Sequence, residues 1–409
     1  MSRFDDELND RLQAIRAGGL HRQIRQLESA QGTRVRIAGR ELLSFASNDY
    51  LGLANHPDLK RAAIRAVTEA GAGSGASRLI SGSLMPHDAL DQAIARFKGT
   101  QAALAFSSGY TAAIGTICAL CDSSDVIVLD KLVHASIVDA ARLSGAKLRV
   151  FAHNDLEKLE TILRWASGAG PARLSDSGKG DPLPARARNV LIVTESIFSM
   201  DGDRAPLREI VALKESFGAW LMVDEAHATG LIGTGGRGLA DELGVGAGIE
   251  IQMGTLGKAV GSSGGYISGS RALIDFLVNR ARSFIFTTAP VPASAAAAVA
   301  GLGLIGAVEG DVLRRLLRER IAQFTEGLPG SVLVPQPVGA ILPISIGPED
   351  EAVRVSGALR ERGILVPAIR YPSVPRGRAR LRLTLSAAHS ADDVEQVLEA
   401  LATVQAWRG

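Results

Sequence analysis

The sequence predicts an α/β protein in which one large, mostly parallel sheet carries helices on both faces and a smaller α/β unit follows it. Two observations carry this expectation. From residue 103 onward short apolar runs alternate with helical or loop segments, and several runs are continuous Val, Ile and Leu. Strands buried on both faces read this way, as in parallel sheets sandwiched between helices. In addition, a chain of 409 residues that is 46% hydrophobic and 22% charged can build a large core, and its length suits two to three domains.

Taken in order, residues 3–28 place Leu and Ile three or four apart among Arg, Asp and Glu, the spacing of an amphipathic helix. A short strand and loop follow at 42–53 (LLSFASNDYLGL). Helical period over 58–70 gives way to a glycine-rich loop at 71–82 (GAGSGASRLISG). Pro86 then opens a helix from its first turn, where a missing N–H is tolerated. The sheet strands are expected at 103–106, 125–130, 147–152, 189–196, 220–226, 251–256 and 265–270. Ser167–Arg188, rich in Gly, Pro, Ser and Arg, reads as a surface loop. An alanine-rich helical zone over about 293–328 leads to strands near Ile341–Ile346 and Arg380–Leu385 and a closing helix at Ala391–Trp407. The pattern changes near residue 290. The expected division is therefore an N-terminal helix and arm (1–50), a large domain (51–290), and a linking helix with a small domain (291–409).

Composition excludes several function classes. Lys+Arg 45 against Asp+Glu 43 gives a net charge of +2, which argues against a basic nucleic-acid binder. Aromatic residues at 4% are too sparse for a base-stacking surface. Two cysteines cannot staple a chain of this length, which points to a reducing compartment. The N-terminal stretch is charged throughout, without a signal-peptide core, and no apolar run reaches the roughly 20 residues of a membrane span. The expectation is a soluble cytoplasmic protein with no nucleic-acid or membrane partner.

Four local motifs could mislead. Asp224-Glu225-Ala226-His227 spells the DEAH box of an ATPase, but Gly254-Thr255-Leu256-Gly257-Lys258-Ala259 lacks the glycine spacing and the hydroxyl of a phosphate loop. Gly71–Ala76 contains G-x-G-x-x-A, yet it follows a helical segment rather than a strand. Cys118 and Cys121 form one C-x-x-C with no second pair to complete a zinc site, so no metal is expected; they read as core cysteines. Arg376, Arg378, Arg380 and Arg382 alternate in a strand-like pattern that could attract anions or simply be solvated.

A constellation is more informative than any of these. Ser107-Ser108-Gly109-Tyr110 joins a strand to a helix, whose free N–H groups make a phosphate cradle. Asp224 closes an apolar strand, where a buried carboxylate needs a cationic partner, and a protonated ring nitrogen would serve. His134 follows another strand end, where an imidazole can stack on a flat ring. Lys258 sits among small residues at a third strand end. Phosphate donors, an anion for a pyridinium nitrogen and a lysine amine for an aldehyde together describe a site for pyridoxal 5'-phosphate (PLP).

Eight segments carry a resemblance to a known family: 44–53, GAGSGASRLISG (71–82), FSSGYTAAIG (106–115), DKLVHASIVD (130–139), TESIFSMDGDRAPL (194–207), VDEAHATGLIGTGGRG (223–238), GTLGKAVGSSGGY (254–266) and RARLRLTLSAAH (378–389). The sequence resembles the α-oxoamine synthases, which have the fold-type I PLP-dependent aminotransferase architecture. Val366–Pro375 (VPAIRYPSVP) is similar to the branch that joins L-alanine to a pimeloyl thioester, CoA- or carrier-protein-bound, releasing CO2 and giving 8-amino-7-oxononanoate for biotin synthesis. Tyr371 and Ser373 depart from that branch's usual Pro and Thr. Sister activities (serine palmitoyltransferase, 2-amino-3-oxobutyrate CoA ligase, 5-aminolevulinate synthase) share the constellation.

The resemblance implies roles. Lys258 holds the cofactor and moves the α-proton, Asp224 keeps the ring nitrogen protonated, and His134 stacks on the ring. His227 and Ser199 bond the ring hydroxyl oxygen. Gly109, Tyr110 and Thr255 bind phosphate, with Thr288 supplied by a partner subunit. Arg370 grips the amino-acid carboxylate, with Arg382 as the other candidate, and Arg22, Asn48 and Ser373 lie near the acyl substrate. Glu195 matches an acidic family position. A homodimer with active sites at its interface is also implied.

Overall fold

The structure is a computed structural model that describes residues 2–168, 189–329 and 339–404. Its strands are β1 (Arg34–Ile37), β2 (Arg40–Ser44), β3 (Ala102–Phe106), β4 (Val126–Asp130), β5 (Lys147–Phe151), β6 (Val190–Glu195), β7 (Trp220–Asp224), β8 (Ile251–Thr255), β9 (Gly265–Gly269), β10 (Ile341–Gly347), β11 (Ile364–Leu365), β12 (Ala368–Ile369) and β13 (Ala379–Thr384). Seven of them form one sheet in the order β3-β9-β8-β7-β6-β4-β5. The pairs from β8 through β7, β6 and β4 to β5 are parallel, and β9 is antiparallel to both neighbours. The reason is local. β8 reaches β9 through the short loop 256–264, whereas a parallel partner needs a longer crossover, usually helical.

The continuous apolar runs do what their composition implies. Val126 and Val128 join a core with the helices Leu156–Ala166 and Leu207–Phe217 on one face. Ile127 and Leu129 join another with Gly109–Leu120 and Ala135–Ser144 on the opposite face. Side chains alternate along a strand, so burial of both sets requires helices on both sides. This is the fold-type I aminotransferase-like architecture expected from the sequence.

The C-terminal unit holds a sheet in the order β10-β13-β12 and the helices Glu349–Glu361 and Ala391–Thr403. The N-terminal arm crosses to it: β2 pairs antiparallel with β1 and parallel with β11, and the Thr384 N–H donates to the Phe45 carbonyl at 2.9 Å. This crossing carries residues 48–50 beside β13.

Some elements differ from the expectation. The first helix spans Arg3–Ala17 rather than 3–28, because Gly18 and Gly19 end it, and none of its residues is buried; Phe4, Leu8, Leu12 and Ile15 are exposed. The alanine-rich zone is two helices, Pro292–Gly306 and Val308–Gly327, meeting at 74°. Gly310 permits the bend, since a Cβ there would lie 2.1 Å from the Ile305 carbonyl oxygen. Among the described residues no single helix is long and apolar enough to cross a membrane. Most of the expected loop Ser167–Arg188 and the last residues of the closing helix lie outside the described residues.

Candidate active site

In open α/β sheets ligands bind beyond the carboxyl ends of the parallel strands. Here those ends deliver Asp130 and His134 (β4), Glu195 and Ser199 (β6), Asp224 and His227 (β7), and Thr255 and Lys258 (β8).

Lys258 Nζ lies 2.7 Å from His227 Nε2. Burial pulls the Lys258 ammonium down to about 8 against the opposing pull of Asp224. Asp224 accepts from the Ala226 N–H at 2.9 Å, and burial raises its carboxyl. The other His227 nitrogen, Nδ1, is 2.6 Å from the hydroxyl of Tyr50. Tyr50 donates to Asn48 Oδ1 at 3.1 Å, and that oxygen also accepts from Arg382 Nη1 at 3.1 Å. One hydrogen-bonded chain thus runs from Lys258 to Arg382. Burial holds the His227 imidazole well below its ordinary value and pushes the Tyr50 phenol up to about 12, so both are neutral in the working range of pH.

Arg382 is buried. Its Nε donates to the Ser199 carbonyl at 2.7 Å and its Nη1 to Asn48 and Thr384. Its Nη2 makes none of these bonds, and the Tyr50 side chain also hydrogen-bonds the guanidinium. Arg370 lies elsewhere: it donates to the His21 carbonyl at 3.1 Å. With Arg22, Ser373 and Arg360 it lines a cavity of about 450 Å3 that includes none of Lys258, Asp224 or His227. The two candidate carboxylate clamps are therefore separated, and Arg382 is the one joined to Lys258. The alternating arginines divide as well. Arg376 lies over the Tyr371 ring at 4.4 Å, Arg378 is exposed, and Arg380 pairs with Asp201 at 2.6 Å.

At the phosphate cradle, Ser108 caps the helix Gly109–Leu120 by accepting from the Thr111 N–H. The N–H groups of Gly109 and Tyr110 stand in the first turn, which lacks intrahelical acceptors. Gly265 lets β9 pass this turn, since a Cβ there would lie 2.5 Å from the Gly109 nitrogen. Thr255 donates from Oγ1 to the Gly264 carbonyl at 3.0 Å. Tyr110 turns its hydroxyl away, to Asp139 at 2.7 Å. His134 caps Ala135–Ser144 through Nδ1 and is exposed. Thr288 is exposed on the segment before the helix Pro292–Gly306.

Glu195, matched only loosely by the sequence, acquires a clear place. It is buried, accepts from the Ser199 N–H at 3.2 Å and bonds the backbone of His134. Burial, then the nearby Asp224, pushes its carboxyl up to about 8. Its Oε1 has no partner. It joins the turns that present His134 and Ser199. The sequence reading missed Tyr50, although a tyrosine inside the apolar run YLGL must find a partner for its hydroxyl once buried. It also missed His153, which lies 3.0 Å from Asp130 and 2.7 Å from Asp203 and packs edge-on against Phe198 at 4.3 Å. No short motif signals it.

These groups fit an aromatic aldehyde bearing a phosphate. First-turn N–H donors face a helix end cleared by Gly265, a strand-end carboxylate has a single backbone donor, and a lysine with a weakened hold on its proton lies close by. Among the described residues no cluster of metal-ligating side chains occurs. Cys118 and Cys121 are free thiols on one helix end, the second buried.

Comparison with known proteins agrees with this geometry. The family described as aminotransferase class I and II matches residues 40–401. The chain is 46% identical to 8-amino-7-oxononanoate synthase of Geobacter sulfurreducens over 396 residues, covering 96% of each. It is 45% identical to that of Herminiimonas arsenicoxydans, covering 98% of this chain and 99% of the relative. Among solved structures, Sphingomonas wittichii serine palmitoyltransferase superposes with a TM-score of 0.86 at 31% identity, covering 98% of this chain and 97% of that one. A serine palmitoyltransferase from S. paucimobilis with bound PLP and myriocin gives 0.87 at 28%, covering 98% of both chains.

Proposed function

The chain belongs to the aminotransferase class I and II family, and from that premise we propose how its residues perform a decarboxylative condensation. The enzyme is a PLP-dependent acyltransferase of biotin biosynthesis. It joins L-alanine to a pimeloyl thioester, giving 8-amino-7-oxononanoate, CO2 and the free thiol. The observation that carries the chemistry is Lys258 Nζ at 2.7 Å from His227 in a buried setting shared with Asp224. The near full-length identity to 8-amino-7-oxononanoate synthases supports the substrate pair.

When bound, PLP supplies an aldehyde that condenses with amines and a ring that draws electrons from the amino acid's α-carbon. Lys258 would hold that aldehyde, and its amine would carry the α-proton, since an amine whose pKa lies near 8 can both take and return it. Asp224 keeps a proton on the ring nitrogen. Gly109 and Tyr110 bind the phosphate through their backbone, and Thr255 does so when its hydroxyl turns from the Gly264 carbonyl, with Thr288 from a second copy in a homodimer. His134 covers the ring face, and Ser199 and His227 bond its hydroxyl oxygen. Arg382 offers Nη2 to the alanine carboxylate, a role its connection to Lys258 supports over Arg370. Arg370, Arg22 and Ser373 then serve the acyl substrate in their own cavity, and Asn48, bonded to Arg382, serves it from the cofactor side. The protein works in the cytoplasm.

A steady-state panel tests this reading. L-alanine with pimeloyl-CoA or a pimeloyl carrier protein should turn over fastest and release CO2. The likeness to serine palmitoyltransferase structures makes serine with palmitoyl-CoA the instructive competitor; faster turnover of that pair would move the chain to the sister activity. Borohydride reduction followed by peptide mapping should place the cofactor on Lys258, and a label on another lysine would refute its role.

A further inference from the structure

The chain from Lys258 to Arg382 has a direction that its two ends impose. At one end Arg382 has only donors, and its Nη1 donates to Asn48 Oδ1. The Asn48 amide must therefore present oxygen, not nitrogen, to Tyr50, which lies 3.1 Å from that oxygen. Tyr50 is fully buried, so its only proton goes to Asn48; otherwise two acceptors would face each other away from water. The Tyr50 oxygen is then an acceptor, and the contact at 2.6 Å requires His227 Nδ1 to donate. At the other end Lys258 below its own titration is an ammonium with donors only. Its contact at 2.7 Å requires His227 Nε2 to accept. Both ends demand the same imidazole.

We propose that Tyr50 is a positioning residue that holds His227 as the Nδ1-protonated tautomer, with its Nε2 lone pair turned to Lys258. The consequence is geometric. Lys258 keeps one N–H pointed at His227, so the lone pair it gains on losing a proton points away from the imidazole, as a nucleophile needs. Asn48 and Arg382 act as the anchor that keeps the tyrosine proton away from His227. This deepens the assignment of Lys258 as the cofactor-bearing lysine and rests on it for its use, but not for its test.

The test reads the tautomer itself. Full-length protein freed of cofactor, with 15N-labelled histidines, is examined by long-range proton–nitrogen correlation above the titration of Lys258, where its neutral amine can accept as well as donate and Tyr50 alone sets the tautomer. His227→Gln assigns the signal among the 7 histidines. His227 should show a protonated Nδ1 and a bare Nε2. Tyr50→Phe removes the acceptor and should shift most of that population to the Nε2-protonated form. Asn48→Leu, a second variant that keeps the tyrosine, frees its proton for Nδ1 and should do the same. Protonation at Nε2 in the wild type, or an unchanged Nδ1–H signal in a folded Tyr50→Phe or Asn48→Leu protein, would overturn the proposal. If instead borohydride labels a different lysine while His227 shows the stated tautomer, the cofactor assignment falls and the tautomer assignment stands.

Discussion

Replacing Arg382 by lysine separates the two carboxylate candidates. Of the five N–H groups on a guanidinium, one serves Ser199, two on Nη1 serve Asn48 and Thr384, and the two on Nη2 remain for substrate. Lysine keeps the charge, loses the planar fork and cannot serve all these acceptors at once. Loss of one charge-assisted hydrogen bond to the alanine carboxylate costs about 1.5–3 kcal/mol, and a buried acceptor left unpaired, such as the Ser199 carbonyl, adds about 1 more. The expected total of about 2.5–4 kcal/mol corresponds to a fall of roughly 70- to 1000-fold in kcat/KM for L-alanine. Arg370→Lys, which gives up one bond to the His21 carbonyl, should cost less than about tenfold for alanine and act on the thioester instead. Steady-state kinetics with each substrate varied in turn distinguish them, with the visible absorption of the holoenzyme confirming cofactor loading. A larger alanine defect in Arg370→Lys than in Arg382→Lys would refute this division.

Asp224→Asn should fold and load cofactor yet lose roughly 100-fold or more in turnover, since an amide cannot hold the ring proton; near-normal turnover would remove Asp224 from that role. His153 titrates at about 10 against an ordinary 6.5, because Asp130 and Asp203 outweigh the lowering effect of burial. Its folded value is raised, so its contribution to stability is complete below 6.5 and is lost as pH rises towards 10. The gap in urea midpoint between wild type and His153→Gln should accordingly shrink across that interval, and a constant gap would contradict the charged clamp. Lys98 and Glu225 form a pair with both side chains buried. Lys98→Met would strand the Glu225 carboxylate with the Ala240 N–H at 2.9 Å. The expected loss is about 3–5 kcal/mol in urea unfolding, with substantial recovery in Lys98→Met/Glu225→Gln; no recovery would mean that packing, not charge, sets the loss.

Much of the fold was legible because strands buried on both faces leave an unmistakable record, as in VIVLD and VLIVTE. The strand-end residues Asp224 and Lys258 were legible for the same reason, since a polar residue closing an apolar strand stands out. The bend at Ala307 was not, because a close helix crossing through Gly310 writes only one ordinary glycine into the sequence. The separation of Arg370 from Arg382 was equally hidden. Both are arginines beside apolar strands, and only the crossing of the N-terminal arm brings Asn48 to one of them. Tyr50 and His153 owe their places to partners far away in the chain, which periodicity and spacing do not record.

The distances along the chain between those partners have a consequence for how the enzyme comes into being. Tyr50 and His227 are 177 residues apart and Asn48 and Arg382 are 334 apart. A growing polypeptide that has just completed β9 possesses every strand of the large sheet, Lys258, His227 and Tyr50, yet the Arg382 that holds Asn48 has not been made. Contacts of such separation also slow folding, since long loops must close before any reward is gained. The residues assigned to the cofactor, from Gly109 to Lys258, are thus made before β9 is complete, whereas the arginine that holds Asn48 comes late, in β13.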